Sequence, residues 1–162
     1  MSIDNFMQKV GNLNFMRKYE KDTYIGNGFL LDHSVPALPF HILSTGITTV
    51  KKGNFSHQKG AIRPYLEILW CISGSGEVTL FGQQYQMNEN DVFYYLPGED
   101  HERKALSGQW RLRWICLYGA LAETLLHSFR YPRWQNPREY PAELFRELET
   151  LMVQRELSAQ RR

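Results

Sequence analysis

Charge of one sign, cysteine and long apolar runs are all scarce in this chain of 162 residues, and each scarcity removes a class of function. Lys and Arg number 19 against 17 Asp and Glu, a net charge of only +2. The basic residues are dispersed rather than gathered on one helix, which argues against direct binding to a nucleic-acid duplex. No stretch is apolar enough to span a bilayer, and Asp4, Asn5 and Gln8 interrupt the N-terminus where a secretion signal needs an unbroken apolar segment. The chain is therefore expected in the cytoplasm. Its two cysteines, Cys71 and Cys116, both sit in apolar runs, where reduced, buried thiols are the default. They share one strand parity, so a disulfide is conceivable, but a reducing compartment disfavours it. What remains is 43% hydrophobic and 14% aromatic, enough for one sizeable core and too short for a second full domain.

The informative stretch runs from Arg63 to Gly119, where short β-branched and aromatic runs alternate with turn residues. Tyr65 to Ile72 is followed by Ser73-Gly74-Ser75-Gly76, then Glu77 to Phe81, a turn at Gly82-Gln83-Gln84, and Tyr85-Gln86-Met87. Next come Asp91 to Leu96, a Pro97-Gly98 corner leading to His101, and the long run Trp110 to Tyr118. Strands at this spacing imply an antiparallel sandwich or barrel. Upstream, Tyr24 to Leu31 and Phe40 to Val50 read as two more strands, separated by a break at Pro36-Ala37-Leu38-Pro39. Ile3, Phe6, Met7 and Val10 fall on one face of a short N-terminal helix.

Those landmarks, Arg63-Pro64, Gly74-Ser75-Gly76, Asp91, Pro97-Gly98-x-x-His101, Trp114 and Gly119, resemble in order and spacing the cupin fold. More closely, residues 59–157 resemble the N-terminal effector-binding and dimerisation domain of AraC-type transcription regulators. The resemblance implies a mainly β fold, a cupin-like antiparallel β-barrel (double-stranded β-helix, or jelly roll) followed by two C-terminal helices. It divides the chain into an N-terminal arm or short helix over 1–22, a barrel over 23–119, a helical dimerisation region over 120–157, and the start of a linker over 158–162. The linker would lead to a helix-turn-helix DNA-binding domain that lies outside this chain.

A cupin also implies a metal. The ancestral ligand set is a His-x-His pair, a Glu, and a second-motif His. Glu67, with six residues between it and Gly74, fits the Glu position, and His101 fits the last. The His-x-His positions fall near Ala61 and Arg63, neither of which binds a cation, and His57 lies too far upstream. Two ligands are too few for zinc, iron or manganese, and a guanidinium repels a nearby cation. No metal, cofactor or catalytic residue is therefore expected. The rival reading is a metal-dependent cupin enzyme, an isomerase or dioxygenase, built on Glu67, His101 and His57.

Without a metal, a polar-lined barrel suits reversible binding of a small molecule. If Glu67 faces inward, as the cupin pattern implies, strand alternation puts Tyr65, Leu69 and Cys71 on its face. Trp110, Leu112, Trp114 and Cys116 share one face of the returning strand, while Arg111 and Arg113 share the opposite, more solvated one. In AraC-type domains the Trp stacks on the effector and a side chain two residues past the His contacts it; by position these are Trp114 and Arg103. The expected ligand-binding set is Arg63, Tyr65, Glu67, His101, Arg103, Leu112 and Trp114. Arg63 and Arg103 favour an anionic or hydroxyl-rich ligand, a sugar or an organic acid. Leu112 stands where sugar-binding members carry a His, so arabinose itself is disfavoured. The plainer alternatives are a core role for Trp114, an ion pair of Glu67 with Arg63 or Arg103, and a turn-capping His101.

Ala120 to Phe129 reads as one helix, and Pro141 opens a longer one through Leu157. Leu144, Phe145, Leu148, Leu151 and Met152 form an apolar stripe wider than a coiled-coil seam, able to pack on the barrel and to meet a second copy. The resemblance assigns these five to a homodimer contact. Burial of the whole stripe within one protomer is the alternative. The function expected is thus an effector-sensing, dimerising regulatory domain that touches DNA only through the missing domain; a dimerisation module with its barrel plugged by Trp110 and Trp114 is a weaker possibility.

Overall fold

Alternating apolar and polar side chains bury one face of a strand and leave the other for helices or solvent, and that pattern organises the chain around β5, Leu66–Ser73. The computed structural model describes residues 17–21, 24–30, 39–58 and 63–159. The expected N-terminal helix over Ile3 to Val10 lies outside them. Before β5 come β1 (Arg17–Lys21), β2 (Tyr24–Leu30), β3 (His41–Lys51) and β4 (Phe55–Gln58). After it follow β6 (Gly76–Leu80), β7 (Gln83–Met87), β8 (Val92–Tyr95), β9 (His101–Ala105) and β10 (Gln109–Tyr118). Helix α1 (Ala120–Ser128), the short β11 (Trp134–Gln135) and helix α2 (Ala142–Ala159) complete the order.

Among the described residues the strands form two antiparallel sheets. One has seven strands in the order β1-β2-β3-β10-β5-β8-β11, and the other four in the order β4-β9-β6-β7. The core lies between them: Val50, Leu69, Cys71, Phe93, Tyr95, Trp110 and Leu112 from the larger sheet meet Val78, Leu80, Met87 and Ala105 from the smaller. Strands β1, β4, β9 and β11 are additional to those expected, and the other expected strands and the two C-terminal helices appear within a few residues of their bounds. Neither helix is long and apolar enough to cross a membrane.

Two register shifts interrupt the pairing of β10 with its neighbours, each leaving the extra residue on the neighbouring strand, Ile72 on β5 and Leu43 on β3. One falls between Arg111 and Leu112 in the pairing with β5, the other between Cys116 and Leu117 in the pairing with β3. Between them Leu112, Trp114 and Cys116 stand opposite Cys71, Leu69 and Glu67, so the inward faces of β5 and β10 coincide. Both cysteines are buried and free.

The outer face of the same two strands is covered by α2, which corrects the expectation for Arg113. That guanidinium is buried rather than solvated: its Nε donates to the Tyr140 hydroxyl at 3.0 Å, it pairs with Glu149, and it sits 4.8 Å over the Phe145 ring. Trp70 meets Tyr140 and Phe145 edge-on at 5.9 and 6.4 Å. Phe145 and Glu149 of α2 and Tyr140 just before it, invisible to strand alternation, bury Arg113, while Arg111 on the same face stays exposed.

Gly76 is small because the indole of Trp110 lies against its backbone; a Cβ there would fall 2.2 Å from the ring. Trp110 is fully buried and cannot swing away. Gly76→Ala should therefore lower the unfolding free energy by about 1–3 kcal/mol, the usual cost of overpacking, read as a lower urea midpoint with an unchanged slope. An unchanged midpoint would mean that β6 can shift off the indole.

Candidate functional site

Taking a carboxylate out of water is costly unless opposite charge and hydrogen bonds replace the solvent. Glu67 is the buried carboxylate on the inner face of β5, facing Tyr95 of β8 on one side and Cys116 of β10 on the other. Its two oxygens are claimed by different arginines. Arg63, just before β5, donates from Nη1 to Oε2 at 2.5 Å. Arg103, on β9 of the opposite sheet, places Nη1 3.6 Å from Oε1. The ion pair therefore ties the two sheets together across the interior. Burial alone would push the Glu67 carboxyl up, but Arg63, Arg103 and, more weakly, His101 outweigh it and hold the group below the usual carboxylate range. Burial likewise works against the Arg63 cation, and the neighbouring Glu67 more than compensates, leaving its pKa raised.

The position of Arg63 follows from the Pro97-Gly98 corner. The Gly98 N–H donates to the Arg63 carbonyl at 3.1 Å, and Gly98 can turn there because its φ of 84° lies in the left-handed region that suits glycine. Arg63 also lies 5.8 Å from the centroid of the Tyr65 ring. Tyr65 is half-buried, and burial pushes its phenol well above the ordinary value.

His101 opens β9, and its ring stacks on that of Tyr95 with centroids 3.5 Å apart and planes 15° from parallel. Nδ1 lies 3.3 Å from the Glu99 carbonyl, and since a carbonyl only accepts, Nδ1 carries the ring proton and Nε2 presents a bare lone pair. That Nε2 and the Tyr95 hydroxyl are both buried without a hydrogen-bond partner. Burial, aided by Arg103, pushes the His101 pKa down to about 3, so the imidazole is neutral at physiological pH. Tyr95 and Cys116 are pushed up, chiefly by burial, and stay protonated. The charge of the interior thus resides on Glu67, Arg63 and Arg103.

Arg63, Glu67 and Arg103 are brought together, with His101 and Tyr65 adjoining. Trp114 is half-buried on the inner face and packs against the core; its carbonyl accepts from the Thr45 hydroxyl at 2.8 Å. Leu112 is fully enclosed in that core. Tyr95 joins the cluster, a residue outside the expected ligand-binding set. The available signal was its two-residue spacing from Phe93, which turns both inward and sets Tyr95 opposite Glu67.

The expected dimer stripe on α2 divides. Phe145 and Met152 are only 7% and 6% exposed and belong to the protomer's own packing, Leu148 is half-buried, while Leu144 and Leu151 are 63% and 56% exposed.

A metal does not fit these residues. The carboxylate that would bind it is engaged by a guanidinium at 2.5 Å. His57 is exposed on β4, opposite Glu102 rather than Glu67. Among the described residues, no three His, Cys, Asp or Glu side chains gather into a cation site.

A comparison with curated proteins found no match. Among solved structures, the cupin domain of Cnp3 from Schizosaccharomyces pombe is similar with a TM-score of 0.50 and 14% identity, over 68% of this chain and 71% of that one. A tryptophan variant of oxalate decarboxylase from Bacillus subtilis aligns with a TM-score of 0.51 and 16% identity, over 70% of this chain but only 32% of the enzyme's. The Cupin_2 domain of an XRE family transcriptional regulator from Enterobacter cloacae aligns over 60% of this chain and 98% of its own, with 14% identity and a TM-score of 0.49. At these identities the likeness to the first two concerns the fold alone, a cupin β-barrel, which in this chain is followed by two helices. Residues 51–162, from the end of β3 through both helices, match the family described as the AraC-like ligand binding domain. The chain belongs to that family.

Proposed function

We propose that this chain is the effector-sensing and dimerising part of an AraC-type transcription regulator, binding a small polar molecule, a sugar or organic acid, within the barrel. The observation that carries the reading is the buried cluster of Glu67, Arg63 and Arg103, with the half-buried Trp114 on the same inner wall. Hydrogen-bonding groups next to an aromatic plane suit reversible recognition of a small ligand. The same cluster lacks an activated nucleophile, and its carboxylate is neutralised by arginine, which supports a regulatory role over a metal-dependent isomerase or dioxygenase.

Binding must alter something that the attached helix-turn-helix domain can sense, which requires different effector affinities in the two arrangements. The helix pair supports a route for this. α2 is fastened to β10 through Arg113, and Trp114 is the next residue on the opposite face of the same strand. Leu121 and Leu125 on α1, with Leu144 and Leu151 on α2, are exposed apolar side chains of the kind a second copy would cover. The domain would act in the cytoplasm and contact DNA only through its partner domain.

Thermal unfolding against sugars, sugar acids and aromatic acids should show stabilisation by one organic class, unaffected by EDTA. For that ligand, Arg103→Ala should weaken binding by about 1.5–3 kcal/mol, the worth of charge-assisted hydrogen bonds, and Trp114→Ala by roughly 1 kcal/mol. Stabilisation confined to divalent metals would favour the enzyme instead. Sedimentation should detect a dimer that Leu144→Glu with Leu151→Glu converts to monomer without lowering the unfolding midpoint. A dimer that survives both changes would place the contact elsewhere.

A further inference from the structure

Among the described residues, three polar groups around Glu67 have bonding capacity to spare, and together they describe the molecule that would complete them. Arg103 is the first. Its only charged partner among the described residues is Glu67 at 3.6 Å, beyond hydrogen-bonding range, and the nearer bond to that carboxylate belongs to Arg63. A guanidinium carries a fork of five donors, and none of those on Arg103 has a hydrogen-bond acceptor among the described residues. His101 and Tyr95 are the second and third, each 2% exposed, with Nε2 and the hydroxyl lacking partners. The three adjoin: His101 and Arg103 are two residues apart on β9, the Tyr95 ring stacks on that of His101, and Tyr95 stands opposite Glu67, which Arg103 approaches.

Each group specifies a different ligand feature. An unsatisfied guanidinium calls for a carboxylate, which it can bind through two parallel N–H···O bonds. The bare Nε2 of His101 calls for a hydrogen-bond donor. The donor cannot be an ammonium group, because Arg63 and Arg103 would repel a third cation. An O–H remains, and its oxygen can in turn accept from the Tyr95 hydroxyl. A neutral sugar would give Arg103 no charged acceptor beyond the carboxylate it shares with Arg63, and a plain carboxylic acid would leave Nε2 buried and unpaired.

From this we infer that the effector is a small hydroxy acid, its carboxylate bound by Arg103 and its hydroxyl donating to His101 Nε2. The inference rests on reading the barrel as an effector site and narrows that reading to one chemical class. The low His101 pKa supports it, because a protonated imidazole could not accept this hydrogen bond.

The test is calorimetry on the 162-residue chain with matched probes: gluconate against glucose, lactate against propionate, and 4-hydroxybenzoate against benzoate and 4-hydroxybenzyl alcohol. At least one hydroxy acid should bind about tenfold or more tightly than its counterparts lacking the charge or the hydroxyl, since a site built to pair a hydroxyl rejects analogues without it. His101→Phe keeps the ring stack and should reduce that hydroxy acid to the level of its deoxy counterpart. Should that variant fail to fold, Tyr95→Phe removes a single oxygen and should narrow the same gap. Equal binding of glucose and gluconate, or of each acid and its deoxy counterpart, would overturn the hydroxy-acid class while leaving an effector site standing. An undiminished preference in both variants would overturn the roles of His101 and Tyr95. No binding by any probe would overturn both the class and the effector site.

Discussion

Everything in the interior is arranged around one buried carboxylate. Glu67 is neutralised by two arginines, one from the segment before β5 and one from the opposite sheet. Removing either cation would leave a charge in a medium that solvates it poorly, which is why such pairs are stringent even where their net contribution to stability is small. The barrel interior thus presents arginine hydrogen-bond donors around a neutralised carboxylate.

That array is rigid because its supports are structural. The Gly98 N–H fixes the Arg63 backbone, the β5–β9 separation sets the reach of Arg103, and the His101 ring is clamped between its bond to Glu99 and the face of Tyr95. Strand β10 links this interior to the outside. Its own alternation puts Trp114 on the inner face with Trp110 and Leu112, and the adjacent Arg113 engages Tyr140 and Glu149 around α2. Strain at the inner wall therefore has a short covalent path to the helix layer.

Much of this was legible in the residues. β5 and β10 announce themselves through unbroken alternation, and the parity argument placed Glu67, Leu69, Cys71, Leu112 and Trp114 on one side, as observed. Arg103 became visible only through its spacing from His101 in the family pattern. Strands β1 and β4, Arg-Lys-Tyr-Glu-Lys and Phe-Ser-His-Gln, lack apolar alternation and are strands because a neighbour offers hydrogen bonds. The burial of Arg113 and the split of the α2 stripe depend on which helix lands on which strand, a long-range fact with no local signature. Tyr95 escaped notice because a tyrosine between apolar neighbours reads as core until its hydroxyl is found without a partner.

The most direct measurement is a carboxyl 13C NMR titration of Glu67 in the folded chain. A folded value held below the ordinary 4.5 means that its stabilisation is present above that pH and is lost only as the pH falls through the lowered value. The Glu67 resonance should therefore stay that of a carboxylate as the pH passes down through 4.5, and should move upward to titrate at a higher pH in Arg63→Met. Protonation of the wild-type carboxyl at or above 4.5 would contradict the arginine-held carboxylate on which the site depends.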